Sequence, residues 1–177
     1  NYEIGLTDPR FLETDYSFGG SAGWKQQDYG AYTQKTLFTR VNVGRRFGDI
    51  WYGSVALNIE NIELTEIDDN VPVEIYNDRG PNKLNSIGLS VTRKTLKPFI
   101  MPTEGSRTRF TIDQFGIPSG DYTFTKSFLT NTSYFAVRRD FLNRVSALRL
   151  DTRMGYIFGG AAPTFEKFYL GGRTFRG

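Results

Sequence analysis

The side chains in this chain that could do chemistry are few and mostly of one kind. Among 177 residues there is no histidine and no cysteine. That removes the commonest general base, the thiol nucleophile, and imidazole or thiolate metal ligands. What remains are 19 carboxylates and 22 cationic side chains. The most telling spacing is in "FYLGGRTFRG", Phe168 to Gly177. Gly171 and Gly172 permit positive φ and a close backbone approach, Gly177 permits a second turn, and Phe175 and Arg176 lie between them. The stretch reads as part of a working loop, and a guanidinium offers the fork of donors that a carboxylate meets in bidentate fashion. The plainer reading is a solvated hairpin tip.

A second group is Arg149, Asp151 and Arg153. Their spacing of two places all three on one face of a strand, where they form a ladder of interior charge or offer Asp151 to Arg176. A third is the acidic stretch containing Asp68, Asp69, Glu74 and Asp78, whose oxygens are close together but lack the regular spacing of a calcium loop. It reads as an exposed loop without a metal. Glu166 and Lys167 read as solvated. No compact carboxylate pair with a suitable serine stands out, so no enzyme, catalytic residue or cofactor is expected. The basic residues are scattered and the net charge is only +3, which argues against nucleic acid as a partner.

The elements that carry these groups are strands. Aromatics make up 15% of the chain, with 19 glycines, a composition suited to β-structure. Period-two alternation dominates. Tyr16, Phe18, Ala22 and Trp24 share a face opposite Ser17, Gly19, Ser21 and Lys25. Leu37, Val41 and Val43 oppose Arg40 and Asn42, and Val55, Leu57 and Ile59 oppose Ser54, Asn58 and Glu60. Ile87, Leu89 and Val91 oppose Ser86, Ser90 and Thr92, and Leu148, Leu150 and Met154 oppose the charged triplet. Arg107–Phe115 and Tyr122–Val137 are aromatic, threonine-rich strands, and Tyr2–Leu6 is a partial one. That makes about eight strands and no helical period.

No stretch approaches the ~20 apolar residues of a membrane helix, but a membrane barrel needs only alternating strands of ~9–11 residues. The strands are that long. With antiparallel neighbours, the long acidic connection and the Gly-rich tail fall on one rim and the tight "RRFGDI" on the other, as in an outer-membrane barrel. Tyr16, Trp24, Trp51, Tyr122 and Tyr156 are then expected at the lipid headgroups. A soluble β-sandwich binding domain is the alternative of another class.

"GLTDPRFL", "VTRKTLKPFIMPTEGSR", "YTFTKS" and "FEKFYLGGRTFRG", in that order, resemble the barrel domain of the Omp85 superfamily, also called bacterial surface antigens. The last stretch is the most specific, and it stops one aromatic residue short of the family's loop motif. The resemblance spans the chain and implies an all-β fold: about eight strands from the middle of a sixteen-stranded transmembrane barrel. Residues 159–177 would open a lumen-directed extracellular loop whose arginine meets carboxylates on later strands. On this reading both ends are truncated, and the POTRA domains found upstream in the family are absent from residues 1–177.

The implied location is the outer membrane of a Gram-negative type of cell. The implied function is that of an assembly factor which inserts unfolded outer-membrane proteins through a laterally opening barrel. Implied partners are the lipid bilayer, those substrates, and accessory lipoproteins of an assembly complex reached through POTRA domains. A secretion or organelle import pore of the same superfamily is the near alternative.

Overall fold

A computed structural model describes residues 1–30, 32–67, 73, 76, 78–97, 102–141 and 144–168. They build one antiparallel sheet: β1 (Tyr2–Asp8), β2 (Tyr16–Asp28), β3 (Thr33–Phe47), β4 (Trp51–Thr65), β5 (Gly80–Lys94), β6 (Gly105–Phe115), β7 (Thr125–Arg139) and β8 (Val145–Phe158). The eight strands lie in chain order, each paired with its sequence neighbours, and among the described residues the sheet is open at β1 and β8. The all-β, antiparallel expectation and its strand count are met. Among the described residues no helix is long and apolar enough to cross a membrane, which says nothing about crossing by strands.

Register explains why the two faces differ so sharply. Because side chains alternate, one slip would move a strand's apolar set to the wrong face. Pairing runs unbroken through β2–β3, β3–β4 and β4–β5. Phe18, Val43, Val55, Leu89 and Ile112 therefore form one apolar row across five strands. The row beside it, Gly19, Asn42, Ala56, Gly88, Asp113 and Lys126, points the other way and is small or polar.

The apolar face is bare. Leu37, Leu89, Leu148 and Met154 are 59%, 52%, 60% and 61% exposed, while Ile62, Leu64 and Leu84 on the polar face are almost fully buried. A sandwich would cover the apolar face with a second sheet. All eight strands lie in a single sheet, so the sandwich alternative falls.

The polar face is the crowded, inward one. The Tyr52 hydroxyl crosses Gly44 to lie 3.0 Å from Ser17 Oγ, spanning β2 to β4, and a Cβ on Gly44 would strike that phenol. β3, β4, β5 and β7 each have 15 residues. At a rise of ~3.3 Å per residue they reach ~50 Å, more than a tilted bilayer crossing requires.

Two lengths of β5 are treated differently. Ser86–Lys94 pair with β6, but Gly80–Asn85 extend past its end. The connection 116–124 folds against that overhang: Gly116 N donates to Asn85 O (2.9 Å), Asp121 N to Lys83 O (3.0 Å), and Lys83 N to the Asp121 carboxylate (2.7 Å). Backbone groups that would lack a strand partner are satisfied this way. This corrects the expectation of a strand from Tyr122: β7 begins at Thr125, and Tyr122 lies in a connection turned onto the inner face.

Candidate functional site

The polar face acquires a small apolar core at the rim that carries the 66–79 and 116–124 connections. Ile62 and Leu64 of β4 and Leu84 of β5 pack with Tyr32, Ile67, Phe115, Tyr122 and Phe165. Phe115 stacks on the fully buried Phe124 at 4.3 Å. Most of these come from strands and their connections, but Phe165 comes from beyond β8.

After Phe158 the chain turns inward at Gly159 (φ 79°) and passes so close to the Thr123 carbonyl that Gly160 has no room for a Cβ. Such a reversal needs glycine. Pro163 then leads into a 3-10 turn, Thr164–Glu166. Four contacts hold this segment to the inner face. Thr164 N donates to Asp78 Oδ2 at 2.7 Å. Phe165 meets Tyr122 edge-on, with ring centroids 6.4 Å apart. Lys126 Nζ donates to both Glu166 Oε2 and Glu166 O, each at 2.9 Å. Phe168 stacks on Phe128 at 5.8 Å and lies under the Lys126 ammonium at 4.9 Å. A Cβ on Gly155 would occupy the space of the Phe168 ring.

Asp78 is the hub. Its Oδ2 takes the Thr164 amide, and its Oδ1 lies 3.0 Å from the Tyr122 hydroxyl. That hydroxyl is also 3.0 Å from Asn82 Oδ1 and has one proton to share between them. Asn82 Nδ2 in turn donates to the carbonyls of Asp78 and Gly80, fixing the loop that carries the carboxylate. Burial, then the Asp78 hydrogen bond and charge, push the Tyr122 phenol up to about 12. Asp68, Asp69 and Glu74 lie outside the described residues.

The charged triplet is only partly joined. Arg149 Nε and Nη2 grip Asp151 at 2.8 and 3.2 Å, and Thr132 Oγ1 donates to the same carboxylate at 2.6 Å. Arg153 makes no hydrogen bond or ion pair with them. Of the five aromatics expected at the headgroups, Tyr16, Trp24, Trp51 and Tyr156 are on the apolar face by register. Tyr16 and Trp51 stand at the tight-turn rim, and Trp24 and Tyr156 stand toward the other. Tyr122 departs from that expectation because its hydroxyl is drawn inward by Asp78 and Asn82.

Glu166 is likewise not solvated but held by Lys126, whereas Lys167 is exposed. Gly171, Gly172, Phe175, Arg176 and Gly177 lie outside the described residues. Sequence reasoning missed Asp78, Lys126, Phe165 and Phe168 as parts of a site. The available signal was Lys126 itself, the one charged inward residue of β7 within the Tyr122–Tyr134 stretch.

The sequence pattern of the Omp85 superfamily domain matches residues 1–177. A search of curated proteins returned no match. Among solved structures, the chain is similar to BamA from Haemophilus ducreyi lacking POTRA domains 1–3. The TM-score is 0.78 at 16% identity, and the match covers 97% of this chain and 36% of that one. The likeness is one of fold, and the chain spans about a third of that structure.

Proposed function

The chain belongs to the Omp85 superfamily, and from that premise we propose that it is the middle of an outer-membrane barrel that assembles other barrel proteins into the membrane. The bare apolar face is the lipid-facing surface, the polar face lines the lumen, and residues 159–168 are the root of a lumen-directed loop. The observation that carries this reading is the inward turn after β8, held by Asp78 and Lys126. A loop meant only for solvent would need no such hold on the inner face. The clamp fixes the root of the loop, up to Phe168, against the inner face.

The role is structural and non-enzymatic: the seam between the complete barrel's first and last strands opens laterally and gives a substrate an edge to pair with. Accessory lipoproteins, upstream POTRA domains and the pairing of Arg176 with carboxylates on later strands belong to the same proposal. The test is conditional depletion of the complete protein. Depletion of an assembly factor lowers heat-modifiable barrel proteins of the outer membrane broadly. Loss of one exported substrate with normal barrel levels would instead identify a secretion pore.

A further inference from the structure

The apolar face carries a charged cluster that the lumen and its loop do not use. At the tight-turn rim, Arg45 of β3 lies opposite Tyr16 of β2 and stacks over its ring at 5.0 Å, with its Nη1 donating to the Tyr16 hydroxyl at 3.2 Å. The same guanidinium is 5.5 Å from the Phe47 ring, which lies over Gly53. On β5, Arg93 lies opposite Trp51 and 6.0 Å from its ring. All five side chains point outward by register and are exposed. Neither guanidinium has a carboxylate within ion-pair distance among the described residues, whereas Arg144 at the same rim has Asp140.

An unpaired guanidinium on a lipid-facing surface is costly at mid-bilayer and favourable at the headgroup level. Rings that cover a guanidinium's faces leave its in-plane N–H edges free for bidentate donation to a planar or tetrahedral oxyanion. The register spaces the Cα atoms of Arg45 and Arg93 by two strands and two residues, about 12 Å at ordinary strand spacing and rise. Two extended arginine side chains close that gap from opposite sides.

We propose that Tyr16, Arg45, Phe47, Trp51 and Arg93 form a binding site for the phosphate of an anionic glycerophospholipid in the leaflet at the tight-turn rim. The rings seat the glycerol and upper acyl region, and the guanidiniums take the phosphate oxygens. The site rests on the bilayer-spanning reading above and is independent of the assembly role.

The test is native mass spectrometry of the complete protein in detergent, titrated with phosphatidylglycerol and, separately, phosphatidylcholine. The first phosphatidylglycerol should bind more tightly than the first phosphatidylcholine. Arg45→Gln and Arg93→Gln should each weaken it about fivefold, the effect of one basic side chain at an anionic surface. Lys35→Gln, which removes an outward cation at the opposite rim, should leave it unchanged. Where a glutamine variant does not fold, Arg45→Lys and Arg93→Lys keep the charge but lose the fork and ring stacking, and should give intermediate weakening. Unchanged affinity in the Arg45 and Arg93 variants, or an equal loss in Lys35→Gln, overturns the site. A protein that is soluble without detergent overturns the spanning reading and the lipid site with it.

Discussion

Two cation–carboxylate pairs stand on the inner face, one reaching out from β7 and one lying along the adjacent strand β8, and they differ in what they tie together. Lys126 and Glu166 join strand β7 to a segment that no strand holds, and their side chains are only 23% and 20% exposed. Arg149 and Asp151 are neighbours on one strand, 58% and 39% exposed, joining residues that the sheet already fixes. The chemistry is the same and the consequence is not. An exposed pair within a formed element contributes little, whereas a partly desolvated pair that closes a loop holds the loop's position. The lesson is that the functional charge on this face is found by asking which segment would come loose without it.

Breaking the hub should have the largest effect. Asp78→Ala leaves the Thr164 amide and the Tyr122 hydroxyl without their shared acceptor, at a cost of about 2–3 kcal/mol. In the complete protein a new protease cut is expected between Gly159 and Phe168, with a lowered unfolding temperature. Lys126→Met should come next, because it removes both bonds to Glu166 and the cation over Phe168, at about 1–2 kcal/mol. A double-mutant cycle with Glu166→Gln should show coupling between the two positions.

Gly155→Ala forces the Phe168 ring off Phe128 and should cost about 1 kcal/mol, the worth of an aromatic pair. It should loosen the segment without altering the Asp78 hub, a difference that amide hydrogen exchange at Thr164 can detect. Asp151→Asn should leave both protease protection and unfolding temperature unchanged. A clear loss there would remove the distinction between the two pairs.

A pH series separates the hub from the rest. The folded-state pKa of Tyr122 is raised to about 12 from the ordinary tyrosine value of 10.0. Its contribution to stability is therefore fully present below about 10 and falls as pH rises toward about 12, because the unfolded state gives up the proton first. Tyr122→Phe should lose that part of the alkaline decline, measured as unfolding temperature against pH beside the parent protein.

The sheet was legible because its signal is local and long. Alternation over 13 to 15 residues, as in β2 and β4, states the face of each side chain, and Val43, Val55 and Leu89 meet on the face it indicates. The clamp was not legible because its partners are distant in sequence. Thr164 meets Asp78 across 86 residues, and Lys126 meets Glu166 across 40. Nothing within ten residues of Glu166 announces that it will be held. Tyr122 was misplaced for a related reason. An aromatic residue states its face only inside a strand, and the turn after Gly116 breaks the alternation before β7 begins. Tyr16 and Trp51, within strands, fell on the face their alternation indicated.

The most direct measurement of the inward clamp uses paired cysteines, since residues 1–177 contain none of their own. In the complete protein, in cells, Lys126→Cys with Glu166→Cys is treated with a short thiol-reactive bridge. Ser127→Cys with Glu166→Cys serves as the control, one residue along β7 and on the opposite face. Efficient bridging of 126 to 166 and almost none of 127 to 166 is expected. Equal bridging of the two pairs, or preference for 127, would contradict the inward clamp.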